Sequence, residues 1–163
     1  MARRAALALL VPALAGCFGG SSGGPQPAAL EPLAQPQALR VLWSTHVGSA
    51  GAFEFSPALA GEALYAAARD GAVVRLDAAD GRERWRVALD ARLSGGVGAD
   101  AATVAVASDD GAVFALDALT GKQRWRARVS SEVLAAPRLA AGLVLVKSAD
   151  SRIHARDAAD GKR

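Results

Sequence analysis

Few side chains in this sequence are of a type and spacing that could do chemistry. Cys17 is the one cysteine among 163 residues, so an intramolecular disulfide is excluded and a lone thiol remains. It closes the run Leu14-Ala15-Gly16-Cys17. His46 and His154 are far apart, with no cysteine partner and no HExxH spacing, so no zinc site is expected. Carboxylates recur in segments such as Asp77-Ala78-Ala79-Asp80-Gly81, but these lack the alternating oxygen ligands and distal Glu of an EF-hand loop. No metal ligand is assigned there. A Gly-x-Ser-x-Gly elbow and a phosphate loop are both missing, and Ser21-Ser22-Gly23-Gly24 belongs to a linker. No catalytic residue is assigned, and the expectation is a protein that is not an enzyme.

The carboxylates recur because a block recurs. Residues 70–85 read DGAVVRLDAADGRERW and residues 110–125 read DGAVFALDALTGKQRW. Residues 150–163 read DSRIHARDAADGKR. The offset is 40 residues, aligning Asp77, Asp117 and Asp157, then Gly81, Gly121 and Gly161, then Trp85 and Trp125. A fixed period of this size marks a repeat architecture. Asp70-Gly71 and Asp110-Gly111, flanked by apolar residues, predict two-residue hairpin turns with both central residues at positive φ. The next strand alternates, with Ala72, Val74 and Leu76 on one face and Val73 and Arg75 on the other. A five-residue turn from Asp77 to Gly81, or from Asp117 to Gly121, follows. There the carboxylate can accept backbone N–H groups and the glycine can turn left-handed. The Trp that follows is suited to packing between stacked units. Residues 56–59 and 63–67, like 136–139 and 143–146, supply two more strands. Each period therefore predicts a four-stranded antiparallel blade, and the fold class is all-β, a partial β-propeller.

A Gly-led strand, Leu-Asp-Ala, two variable residues, Gly, a basic residue and Trp resembles the PQQ-type β-propeller repeat. Leu42-Trp43-Ser44-Thr45, Val47-Gly48, Ser56-Pro57-Ala58-Leu59 and Leu64-Tyr65-Ala66-Ala67 resemble more specifically the start of the BamB family. Those are lipoproteins of the outer-membrane β-barrel assembly machinery. The resemblance runs over residues 1–163 and implies an eight-bladed propeller, of which this is an N-terminal fragment. PQQ-dependent enzymes share the repeat, but their vicinal cysteine pair is absent, so no cofactor is expected.

Residues 1–16 read as a signal peptide, with Arg3 and Arg4 ahead of an apolar run too short to span a bilayer. Leu14-Ala15-Gly16-Cys17 resembles the lipobox of bacterial lipoproteins, which implies cleavage between Gly16 and Cys17 and lipidation of Cys17. Phe18, in place of the Asp that retains lipoproteins in the inner membrane, implies export to the outer membrane. Residues 17–40 are the lipidated cysteine and a Gly/Ser-rich, then Pro-rich tether. Residues 41–163 are the propeller. It comprises an orphan outer strand at 41–47 bearing Trp43, two blades near 53–89 and 94–129, and part of a third.

Without Arg3 and Arg4 the chain has 17 basic and 16 acidic side chains, a net charge of +1. The basic pI is then no argument for nucleic acid, and no basic run occurs. Copy three departs from the pattern. Arg152, His154 and Arg156 stand where the earlier copies carry Ala, Val or Phe, and Leu. That row reads as a partly wetted strand face with long stems snorkelling, or as a polar contact surface. The resemblance implies a non-catalytic scaffold, lipid-anchored in the outer membrane and facing the periplasm. It implies docking to the periplasmic domains of BamA, contact with other subunits of that machinery, and holding of unfolded outer-membrane proteins. Partner-binding residues stay unassigned. The alternatives are a fragment of a PQQ-dependent quinoprotein dehydrogenase and a lipoprotein propeller for another ligand.

Overall fold

The computed structural model describes residues 28–29 and 38–163. Cys17, Gly16, the signal peptide and most of the tether lie outside the described residues. Residues from Arg40 to Arg163 form one compact unit. It contains three antiparallel sheets, each running through consecutive strands. The first holds β1 (Ala58–Ala60), β2 (Ala63–Ala67), β3 (Ala72–Asp77) and β4 (Glu83–Ala88). The second holds β5 (Gly98–Ala99), β6 (Thr103–Ala107), β7 (Ala112–Asp117) and β8 (Gln123–Arg128). The third holds β9 (Arg138–Ala140), β10 (Leu143–Lys147) and β11 (Ile153–Asp157).

The sheets stack as blades, and the apolar residues divide between the two seams. Tyr65 and Val73 of the first blade pack with Val104, Val106, Phe114 and Leu116 of the second. The alternate residues of the same two strands, Ala105, Ala107, Val113 and Ala115, pack with Val144 and Val146 of the third. The second sheet is thus covered on both faces, and every residue of β6 is buried. That is why its strands read as nearly continuous apolar runs instead of an apolar–polar alternation. The same holds for β3, where Val73 and Val74, on opposite faces, are both fully buried.

The Asp-Gly turns differ from the two-residue hairpins expected. Gly71 N–H donates to Ala68 O at 3.1 Å and Ala68 N–H to Ala72 O at 2.9 Å, leaving residues 69–71 as the loop. Only Gly71 has positive φ, at 92°, and Asp70 does not. This is a type I turn followed by a left-handed residue. The loop at 109–111 repeats it, with Gly111 at φ 81°. In the third copy Ser151 takes the same place at φ 64°. The turn in which both central residues reach positive φ is Ala141-Gly142, between β9 and β10.

Residues 41–47 form no strand. The Trp period was legible there, but no ladder partner lies beside the segment among the described residues. Trp43, Val47 and Phe55 instead line a hollow of about 470 Å³ against Leu64, Ala66 and Leu76, on the face of the first sheet turned away from the second.

Candidate functional site

Each block's Trp reaches forward into the next block's turn. Trp85 Nε1 donates to Ala118 O at 3.1 Å and Trp125 Nε1 to Ala158 O at 3.0 Å. Trp43 makes the equivalent bond to Ala78 O at 3.0 Å. The indole rings lie on Gly81, Gly121 and Gly161, so closely that a β-carbon at Gly81 would stand 2.5 Å from Trp43. These glycines have φ of 73°, 72° and 73°. The turn needs the left-handed conformation and the ring needs the missing side chain, so both requirements fall on one residue.

The turn carboxylates are committed locally. Asp77 Oδ1 accepts from Ala79 N at 3.0 Å and Oδ2 from Arg84 at 2.7 Å. Asp117 Oδ1 accepts from Leu119 N and Thr120 N at 3.1 and 2.9 Å, and Oδ2 from Arg124 at 2.6 Å. Asp157 Oδ1 accepts from Ala159 N at 2.8 Å. The Arg124 hydrogen bond, followed by those from Thr120, holds the Asp117 carboxyl well below the usual carboxylate range. Arg84 does the same for Asp77. Oxygens spent on turn N–H groups and guanidiniums do not converge on a common centre. Among the described residues no group of three or more His, Cys, Asp or Glu is placed to hold a metal ion.

The structure does assemble one Ser/His/Asp cluster, at the seam between the second and third blades. Ser130 Oγ donates to Asp150 Oδ2 at 2.7 Å, and the Ser148 hydroxyl donates to Asp150 Oδ1. His154 Nε2 lies 3.2 Å from Ser130 Oγ and 3.0 Å from Ser148 Oγ. Each hydroxyl has one proton, and both point at Asp150, so the imidazole must donate at Nε2. A nucleophilic triad needs the reverse order, with the imidazole accepting the serine proton and the carboxylate behind the imidazole. This cluster is a hydrogen-bonded clasp. The Ser-x-Asp pattern repeated at 108–110 and 148–150 was the available signal for two of its members. His46 lies elsewhere, its carbonyl accepting from Arg86 at 3.4 Å.

A second clasp, unforeseen in the sequence, crosses the first seam. Arg69 donates to Asp109 Oδ2 at 2.5 Å and to Leu93 O at 3.0 Å, and its guanidinium lies 4.1 Å from the Phe53 ring centre. The inner strands of all three blades border a hollow of about 630 Å³, whose lining includes Glu54, Leu59, Gly98, Leu134 and Arg138.

The family model for outer membrane protein assembly factor BamB matches residues 39–91 and 69–163. The outer membrane protein assembly factor BamB of Bordetella pertussis is 42% identical over 98 residues, which are 59% of this chain and 25% of that protein. The crystal structure of BamB from Moraxella catarrhalis superposes with a TM-score of 0.60 at 27% identity, covering 66% of this chain and 32% of that one. The quinohemoprotein alcohol dehydrogenase of Comamonas testosteroni superposes with a TM-score of 0.59 at 27% identity, over 71% of this chain and 21% of that one. The chain spans 15–25% of the length of the curated relatives it matches. Both matched segments lie on the Trp-and-turn blocks described above, and by that match the chain belongs to the family of the outer membrane protein assembly factor BamB.

Proposed function

We propose that this chain is part of a non-catalytic propeller scaffold that assists assembly and insertion of β-barrel proteins into the outer membrane. The observation that carries the reading is the family match over the repeat blocks. The use of the polar side chains agrees with it. The turn carboxylates hold turns, and the serine protons at the second seam are spent on Asp150. The scaffold is anchored by lipid at Cys17 after cleavage behind Gly16, faces the periplasm, and docks on BamA and other subunits of the same machinery. Residues 41–163 are its rigid propeller portion, and residues 17–40 its tether. Trp43, Trp85 and Trp125, with their partner glycines, join one blade to the next.

The test uses the full-length protein in its own Gram-negative host. Wild-type protein should fractionate with outer membranes, carry a lipid mass on Cys17, and co-purify with the assembly machinery. Cys17→Ser should leave unprocessed or soluble precursor, because attached acyl chains supply the membrane affinity. Unmodified Cys17 in the membrane fraction would remove the anchor, and a purified protein free of assembly subunits would remove the scaffold role. The fold shared with a quinohemoprotein dehydrogenase supports a second reading. Stoichiometric retention of PQQ by the full-length protein after reconstitution with calcium would favour it.

A further inference from the structure

The two seams are built from the same repeat, so their differences are informative. At the first seam the outer half is apolar, formed by Val87, Ala112, Phe114 and Leu116. Ala112, Phe114 and Leu116 are all buried there. At the second seam the residues 40 positions later are Ala127, Arg152, His154 and Arg156. Two guanidiniums and an imidazole have replaced methyl, phenyl and isobutyl groups. The nearby acids have not increased to match, since Asp70, Asp110 and Asp150 are constants of the repeat. Beside the packed part of this seam lies a hollow of about 670 Å³ whose lining includes Ser130, Arg152, His154, Arg156, Arg163 and Arg128. Arg156 spans it, donating to Arg128 O at 3.2 Å. Arg152 pairs with Asp150 at 3.2 Å, with its side chain 69% exposed. An ion pair so exposed is weak and exchanges readily.

From this seam we infer a docking groove for an extended acidic segment of a partner protein. Charge complementarity selects the occupant. Arg152, His154 and Arg156 follow one another on alternate residues, the first just before β11 and the others within it, at a strand's same-face spacing of roughly 6.6 Å. A row at that pitch matches carboxylates on alternate residues of another extended chain, and guanidiniums pair with carboxylates in fork geometry. A single phosphate would need donors converging on one point. The chain's own tether is a poor occupant, since residues 18–39 contain one carboxylate, Glu31. A fourth strand paired to the edge of β11, as β8 is paired to β7, would border the groove, because the basic row faces the second blade. The inference does not depend on the assembly role proposed above.

The test is fluorescence anisotropy on the full-length, non-lipidated protein with a labelled short peptide alternating Glu and Thr. The Glu peptide should bind, and its affinity should fall as salt rises. Its Gln counterpart should not bind. Arg152→Gln combined with Arg156→Gln should weaken binding roughly tenfold, whereas Arg84→Gln, on the first blade, should leave it unchanged. Equal binding of Glu and Gln peptides to the wild-type protein would overturn the inference without reliance on any variant. Unchanged affinity in a double variant of wild-type melting temperature would also overturn it. Equal competition by inorganic phosphate or by anionic phosphatidylglycerol vesicles would replace the acidic segment with a general anion site.

Discussion

Ser151 occupies a backbone position that its two counterparts, Gly71 and Gly111, fill with glycine. Its φ of 64° lies where a β-carbon crowds the following carbonyl. Replacing it removes that strain but adds freedom to the unfolded chain, and the strain is the larger of the two. Ser151→Gly should therefore raise stability by about 0.5–1 kcal/mol, read as a higher urea midpoint at unchanged slope. Asp117 gives a prediction in pH. Its carboxyl is held well below the ordinary range by Arg124 and Thr120, so the folded state favours the ionised form. That stabilisation is fully present above the unfolded value of about 4 and is lost as pH falls toward the folded value. Asp117→Asn should flatten the decline of stability in acid below about pH 5 while leaving the slope at neutral pH unchanged. An identical acid limb in the two proteins would show that this carboxyl contributes no linkage.

At the scale of elements, the coupling of Trp to the next turn is the structural rule of the repeat. A β-carbon at Gly121 would lie 2.9 Å from the Trp85 ring and 3.1 Å from Val87, at a φ of 72°. A β-carbon at Gly142 would meet nothing within 4 Å, at a φ of 75°. The pair separates backbone strain from displaced packing. Gly142→Ala should cost about 1 kcal/mol, and Gly121→Ala about 2–3 kcal/mol with a red shift in Trp emission. Equal losses would mean that the indole yields without cost. These elements also mark what the sequence makes legible. The period, the Asp-to-Gly turn and the Trp position follow from local chemistry that repeats every 40 residues. The type of the Asp-Gly hairpin does not, because glycine at its last position serves a two-residue turn and a three-residue loop equally well. The clasps of Arg69 on Asp109 and of His154 on Ser130 were also beyond local reading. Their partners are 40 and 24 residues apart and meet only because blades stack.

At the scale of the whole molecule, the sheet edges are unequal. β4 carries Arg84 and Arg86, and β8 carries Arg124, Arg126 and Arg128, so charge discourages pairing along these outer strands. β11 has no fourth strand beside it among the described residues, and Ile153 at its start is 74% exposed. At the other end of the stack, Val41 and Leu42 are 81% and 70% exposed next to Trp43. An open edge combined with exposed apolar side chains favours self-association, and stacked repeats need protected ends. Residues 18–163 made alone without lipid should therefore give a β-rich circular dichroism spectrum, a shallow melt, and oligomers on size exclusion. The asymmetry of the edges locates the contact. Ile153→Lys should shift the population toward monomer, whereas Arg126→Ala should shift it toward larger species by unguarding β8. A monomeric parent with a sharp, cooperative melt would show that two four-stranded blades and a three-stranded one protect their own ends. Oligomers insensitive to Ile153→Lys would move the contact from β11 to the Val41–Leu42 end.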